Sequence, residues 1–169
     1  MSAVEALLEK LVSIPSFASA PGTESVVAST IAGWFASHGI ESWTETDRNG
    51  RMNVLAVLRG TGGGRSLLLT GHTDTVPPYD MQHPFVMERK GSWLYGRGTV
   101  DMKGALAAMM MAMAEIQRSG VRLAGDLWFV GVADEEEASA GTVSLLESGR
   151  RWDGAIVGEA SNLRTCVAH

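Results

Sequence analysis

The sequence predicts an α/β fold, a mostly parallel sheet covered by helices. Three observations lead there. Leu67-Leu68-Leu69-Thr70, Leu127 to Ala133 and Ala155-Ile156-Val157-Gly158 are short apolar runs of the kind that form strands buried on both faces. The second half of the chain alternates strand, helix and strand, a βαβ rhythm that favours parallel pairing. Strand ends and helix starts also carry an acid or a histidine, in Gly71-His72-Thr73-Asp74, Thr99-Val100-Asp101-Met102-Lys103-Gly104, Ala133-Asp134-Glu135-Glu136-Glu137 and Gly158-Glu159-Ala160-Ser161. Open α/β sheets bind ligands beyond the carboxyl ends of their strands, so these segments are expected to share one crevice. An imidazole among several carboxylates there makes a ligand set for divalent cations, and points to a metal-dependent hydrolase.

Element by element, Val4, Leu7, Leu8, Leu11 and Val12 follow helical spacing until Pro15. A second helix is predicted from about Thr23 to His38, with Val27, Ile31, Trp34 and Phe35 inward and Gly39 after its end. Two β segments follow, Glu41–Glu45 and Met52–Leu58, and the loop Gly60–Gly64 leads to the strand that His72 ends. Phe85–Glu88 and Trp93–Tyr95 read as a hairpin around Arg89-Lys90-Gly91-Ser92. A long helix is expected from Lys103 to about Ser119, closed by Gly120. After it come a strand to Ala133, a helix over about Ala140–Ser148 and a strand over Gly154–Gly158. Leu163 to Ala168 reads as the start of a further strand, cut off at His169, so the chain is expected to be an incomplete structure.

With 169 residues the chain suits one domain or one lobe of something larger. Its net charge of −5, without any Lys/Arg cluster interleaved with aromatics, argues against a nucleic-acid partner. Cys166 is the single cysteine, which precludes an intrachain disulfide and suits a reducing compartment. Met1 to Val12 carries Glu5, Glu9 and Lys10 and so lacks a signal-peptide core, and the longest apolar run, Gly104 to Ala114, is too short to span a bilayer. A cytoplasmic protein is expected.

Each motif has a plainer reading. His72 and Asp74 lie two apart on a strand end, so they share a side, and a carboxylate there suits the far nitrogen of a metal-bound imidazole. The pair equally suits a histidine beside a turn that Asp74 caps. Asp101 precedes a helix, where aspartate is a good N-cap. Asp134 to Glu137 has the composition of a solvated acidic turn, and Glu159 alone that of a solvated strand end. Adjacent glutamates in one crevice repel each other, a conflict that a cation held by one of them relieves. Other candidates fail. Gly60 to Arg65 lacks the Lys-Ser/Thr ending of a phosphate loop, and there is no G-x-S-x-G elbow. Met102, Met109, Met110, Met111 and Met113 read as core, His38 and His83 as surface, and Cys166 as a small buried hydrophobe.

At Gly71-His72-Thr73-Asp74-Thr75-Val76-Pro77, Gly96 to Gly104, Asp134-Glu135-Glu136 and Gly158 to Ser161 the chain resembles the M20 family of zinc-dependent aminoacylases and exopeptidases. The resemblance covers essentially the whole chain, in motif order and spacing. It implies a three-layer, zinc exopeptidase-like catalytic domain with a two-zinc site. His72 and Glu159 would hold one zinc, Asp101 would bridge both and Glu136 would hold the other. Asp74 would orient His72, Glu135 would be the general base, and Asp101–Met102 would be a cis peptide. Cobalt or manganese could replace zinc at such nitrogen and oxygen ligands. The implied reaction is hydrolysis of an N-acyl amino acid, the alternatives being a dipeptidase or carboxypeptidase and a non-catalytic metal-binding fragment. Family members supply a last histidine ligand and a lid and dimerisation domain from later sequence. Residues 1–169 therefore read as the N-terminal portion of the catalytic domain, with impaired turnover, and the full-length form as a homodimer through the missing domain.

Overall fold

The computed structural model describes residues 1–20, 22–162 and 164. Apart from Arg164, the expected strand at Leu163–Ala168 falls outside the described residues, as do Cys166 and His169. The chain opens with α1 (Ala3–Val12), started by a capping box in which Ser2 Oγ accepts from the Glu5 amide and the Glu5 carboxylate accepts from the Ser2 amide. Leu7, Leu8, Leu11 and Val12 are buried, whereas Val4, in the first turn on the same stripe, stays exposed. Next is α2 (Ser25–Ser37), followed by Gly39 at φ +71°, a left-handed turn out of the helix that glycine takes without penalty.

Strands β1 (Glu41–Thr46) and β2 (Met52–Leu58) form an antiparallel pair, and β3 (Leu67–His72) leads to the site. A small hairpin, β4 (Glu88–Lys90) and β5 (Trp93–Tyr95), precedes α3 (Lys103–Ser119), and then come β6 (Leu127–Val132), α4 (Ala140–Glu147) and β7 (Gly154–Val157). The hairpin differs from expectation. Its first strand is Glu88–Lys90, not Phe85–Glu88, because Lys90 pairs with Trp93 and only Gly91, at φ +63°, and Ser92 remain to turn.

The five-stranded sheet has the order β1-β2-β6-β3-β7. It is mixed: β6, β3 and β7 run parallel, and β2 joins β6 antiparallel. Alternation of side chains sorts the core onto two faces. Val54, Ala56, Leu69, Leu127 and Phe129 pack with α1, α2 and α3, while Leu55, Leu68, Val130 and Val132 pack with Leu145 of α4, with Trp43, Trp128 and Trp152 at the margin. Helices thus cover both sides of the sheet, giving three layers. Of the five methionines expected in the core, Met102 just before α3 and Met109, Met110 and Met113 on it are buried, while Met111 is only partly buried against the cluster. One strand departs from its expected burial. β7 is exposed along its whole length, because it pairs only with β3 and its outer edge is bare among the described residues. No helix among the described residues is long and apolar enough to cross a membrane.

Register brings the functional segments level. His72 lies opposite Val132, so β3 and β6 end together, and Gly158 N donates to Thr70 O just beyond β7. Behind the β6 end, Gly141 packs so tightly that a Cβ would fall 2.4 Å from both Ala133 N and Asn53 Oδ1. Gly141→Ala must therefore move backbone, and is expected to cost about 1–3 kcal/mol in a thermal or urea melt. Unchanged stability would show that this junction is slack.

Candidate metal centre

His72 is the last residue of β3 and its side chain is 1 % exposed. Its Nδ1 lies 3.0 Å from the Asp74 carbonyl oxygen and 3.4 Å from Asp74 Oδ1, so the acid two residues on backs the ring as its strand position suggests. Its Nε2 faces outward onto carboxylates: Asp101 Oδ1 at 2.8 Å, Glu159 Oε2 at 3.6 Å and Glu135 Oε2 at 4.0 Å. Glu136 completes the group, since donor atoms of His72, Asp101 and Glu136 lie within 4.8 Å of one another.

Asp101 does not cap α3. The cap position is Met102, which makes no side-chain cap bond, and the aspartate turns to His72 instead. The Asp101–Met102 peptide is cis, as the family resemblance implies. The acidic turn after β6 divides. Asp134 folds inward and is buried, Glu135 and Glu136 are half-buried on the His72 side, and Glu137 is exposed. Asp74 ties the turn to β3: its Oδ2 accepts from Glu136 N at 3.0 Å, while Glu136 Oε1 accepts from Val76 N at 3.2 Å. All six sequence-predicted site residues, His72, Asp74, Asp101, Glu135, Glu136 and Glu159, therefore surround one point.

The electrostatics describe a cluster short of positive charge. Burial opposes protonation of His72, yet Asp74 behind it and Asp101 before it raise its pKa to about 9. Burial favours the neutral form of Asp74, but the His72 imidazole and the Glu136 amide hold its carboxyl below the ordinary value. Glu136 is pushed up, by burial and by the neighbouring Asp101 and Asp74. One imidazole cannot balance this many acids. Nitrogen and oxygen donors around a single point, in an acidic setting with an imidazole fixed from behind, fit a divalent cation. Beside them a cleft of about 470 Å³ runs between His72, Glu135 and Glu159 on one side and Leu145, Leu146 and Trp152 on the other.

The model of peptidase family M20/M25/M40 matches residues 68–168, more than half of the chain. The chain belongs to that family. Among relatives, it is 42 % identical over 121 residues to succinyl-diaminopimelate desuccinylase of Leptothrix cholodnii, covering 66 % of this chain and 32 % of that protein. It is 36 % identical over 175 residues to acetylornithine deacetylase of Proteus mirabilis, covering 96 % of this chain and 44 % of the relative. This M20 chain thus spans less than half the length of these curated relatives. Its fold matches human carnosine dipeptidase 1 with a TM-score of 0.77 at 20 % identity, over 91 % of this chain and 38 % of the other. It also matches the M20 metallo-carboxypeptidase Sso-CP2 of Sulfolobus solfataricus, with a TM-score of 0.76 at 19 % identity, over 94 % and 37 %. At such identities these two likenesses speak for the fold.

Three buried polar residues around the site and the partly buried Arg51 escaped the sequence reading as contributors. Lys103, read only as the start of a helix, is wholly buried and donates to Leu11 O and Ile14 O at 3.0 and 2.7 Å. Glu24, Arg51 and Asn53 lie behind the acid turn. Only Asn53 left a trace, as the one polar residue inside the apolar run Met52–Leu58.

Proposed function

We propose that this M20 chain carries the metal-binding part of an amide hydrolase that removes the acyl group of an N-acyl amino acid. The observation that carries the reading is the surround of His72 Nε2: three carboxylates within 4.0 Å in front, and Asp74 fixing the ring from behind. In this reading His72 and Glu159 would hold one cation, Glu136 would hold a second, and Asp101 would serve both. Zinc suits the mixed nitrogen and oxygen set, with cobalt or manganese as substitutes. A cation pair, when bound, lowers the pKa of a water and polarises the scissile carbonyl.

The remaining steps belong to side chains. Asp74 keeps the imidazole in the tautomer that leaves Nε2 free to coordinate. Glu135, whose Oε2 reaches toward the same point, takes a proton from the attacking water as the new C–O bond forms. It returns that proton to the leaving nitrogen as the C–N bond breaks, giving a carboxylic acid and an amine, which end as carboxylate and ammonium once the acid's remaining proton passes to the amine. The deacylase and desuccinylase names of the relatives favour an N-acyl amino acid as substrate. We also read the chain as the N-terminal portion of a catalytic domain, in a cytoplasmic protein that dimerises through later sequence.

Elemental analysis of the purified chain tests the metal reading. With only Asp101 and Glu136, among the described residues, toward the second cation, about one zinc per chain is expected, with little or no hydrolysis of N-acetylated amino acids. A folded chain free of any divalent metal after exposure to zinc refutes it. Robust turnover by the 169 residues alone would instead refute the reading as a portion of the domain.

A further inference from the structure

Behind the acid turn lies an ion network that touches neither the cleft nor any proposed ligand side chain. Arg51 donates from Nε to Glu24 Oε2 at 3.0 Å and from Nη2 to Glu24 Oε1, and its Nη1 forms an ion pair with Asp134 Oδ1 at 2.8 Å. The Glu24 side chain is 0 % exposed, that of Asp134 5 % and that of Arg51 17 %. Glu24 Oε1 also accepts the backbone amide of Asp134 at 3.2 Å. Asp134 itself stands at φ +64°, in the left-handed region that a residue with a Cβ enters at a cost. Its carbonyl accepts from Ala138 N and Ser139 N at 3.2 and 2.5 Å, and its Oδ2 accepts from Ala140 N at 3.3 Å. One residue earlier, Asn53 accepts from Ala133 N at 3.0 Å and donates to Gly141 O at 2.8 Å. The amide, the carbonyl and the carboxylate of residue 134 are thus all engaged, and the next two residues are Glu135 and Glu136.

Stability alone does not call for this arrangement. Burying three charges incurs a desolvation penalty, and apolar side chains of similar volume often serve a core as well or better. A planar guanidinium that grips Glu24 through two bonds fixes the direction in which that carboxylate meets the Asp134 amide, and its ion pair with Asp134 adds charge to the hold, which a packed methionine would not. Direction matters at this point, because a backbone rotation at Asp134 would swing both following glutamates away from His72 and Asp101.

We propose that Arg51 and Glu24 are positioning residues: they lock Asp134 in its left-handed conformation and so aim Glu135 and Glu136 into the metal centre. Their relevance to metal rests on the function proposed above; the lock itself does not.

The test compares the unsubstituted chain with Arg51→Lys and with the double variant Glu24→Met/Arg51→Met, which keeps the volume filled. Two quantities are read: amide hydrogen exchange of the metal-free proteins, and Co2+ uptake followed by its visible absorption. In the double variant, exchange over residues 133–137 is expected to rise at least about tenfold while the β1–β2 amides keep their protection. Co2+ binding is expected to weaken by about 10–100-fold, the range seen when groups that orient metal ligands are removed. Arg51→Lys, which keeps the charge without the fork, should fall between, and it decides the matter if the double variant does not fold. Unchanged exchange at 133–137 in a folded variant overturns the proposal. So does a rise spread evenly over the sheet, which would mark a general stabiliser, or a loosened turn with unaltered Co2+ affinity. If the unsubstituted chain takes up no Co2+, the metal reading falls, and the exchange data still decide whether Arg51 and Glu24 hold the turn.

Discussion

His72→Ala is expected to leave a folded chain that has lost its metal, with Zn2+ or Co2+ affinity reduced at least about 100-fold. The imidazole is the only nitrogen donor in the group with Asp101 and Glu136, and its neighbours cannot replace it. Asp74 is directed at the ring from behind, and its Oδ2 is already engaged by the Glu136 amide. Glu135 and Glu159 come within 4.0 Å of Nε2 but are partly solvated, so on losing the imidazole they gain water more easily than a cation. The fold should survive because the ring packs at the end of a strand rather than in either hydrophobic cluster. Some stability is nonetheless lost. The raised pKa of His72 reports attraction to Asp74 and Asp101, and its removal leaves Asp74 buried without that partner, a change worth about 1–3 kcal/mol. Elemental analysis beside a circular-dichroism melt measures both effects. Full metal content in the alanine variant would move the site away from His72.

Much of this centre was legible because strand ends are legible. Apolar runs stop where polar residues begin, so the sequence alone places His72, Asp134 and Glu159 at one edge of the sheet. The long helix α3 was equally plain: its apolar spacing starts at Lys103 and Gly120 supplies the left-handed exit, at φ +72°. Pairing order was not legible. β6 inserts between β2 and β3, and its antiparallel contact with β2 depends on which apolar faces fit, which local patterns do not encode. The exposure of β7 was hidden for a related reason, since an edge strand and a central strand share the same apolar composition. Charge partnerships across long separations were the least visible. Glu24 and Arg51 lie 27 residues apart and Glu24 reaches Asp134 across 110, so neither acid revealed that it was buried. Read locally, Asp134 belonged with the three glutamates after it; the fold turns it the opposite way.

Phe129→Ala is expected to do the reverse of His72→Ala, weakening the framework while leaving every proposed ligand in place. Phe129 is fully buried on β6, the strand flanked by β2 and β3. Its ring lies 5.0 Å from that of Phe35 on α2, which in turn meets Trp34 edge-on at 5.5 Å. Truncation to alanine opens a cavity that neither the sheet nor α2 is free to close, at a cost of about 3–5 kcal/mol. For a chain of this size each kcal/mol shifts the melting point by about 2–4 °C, so a fall of about 6–20 °C is expected. The consequence for the site follows from register. β6 carries the acid turn and β3 carries His72, and the two strands stay hydrogen-bonded from Leu67–Leu127 to His72–Val132 without help from the Phe129 ring. Well below the lowered melting point, metal affinity should therefore change only a few-fold, against the hundredfold loss in His72→Ala. If Phe129→Ala instead loses its metal while still folded, the acid turn depends on packing of α2 against the sheet. The geometry of the centre would then be set by the hydrophobic core as much as by the polar contacts around Asp74 and Asp134.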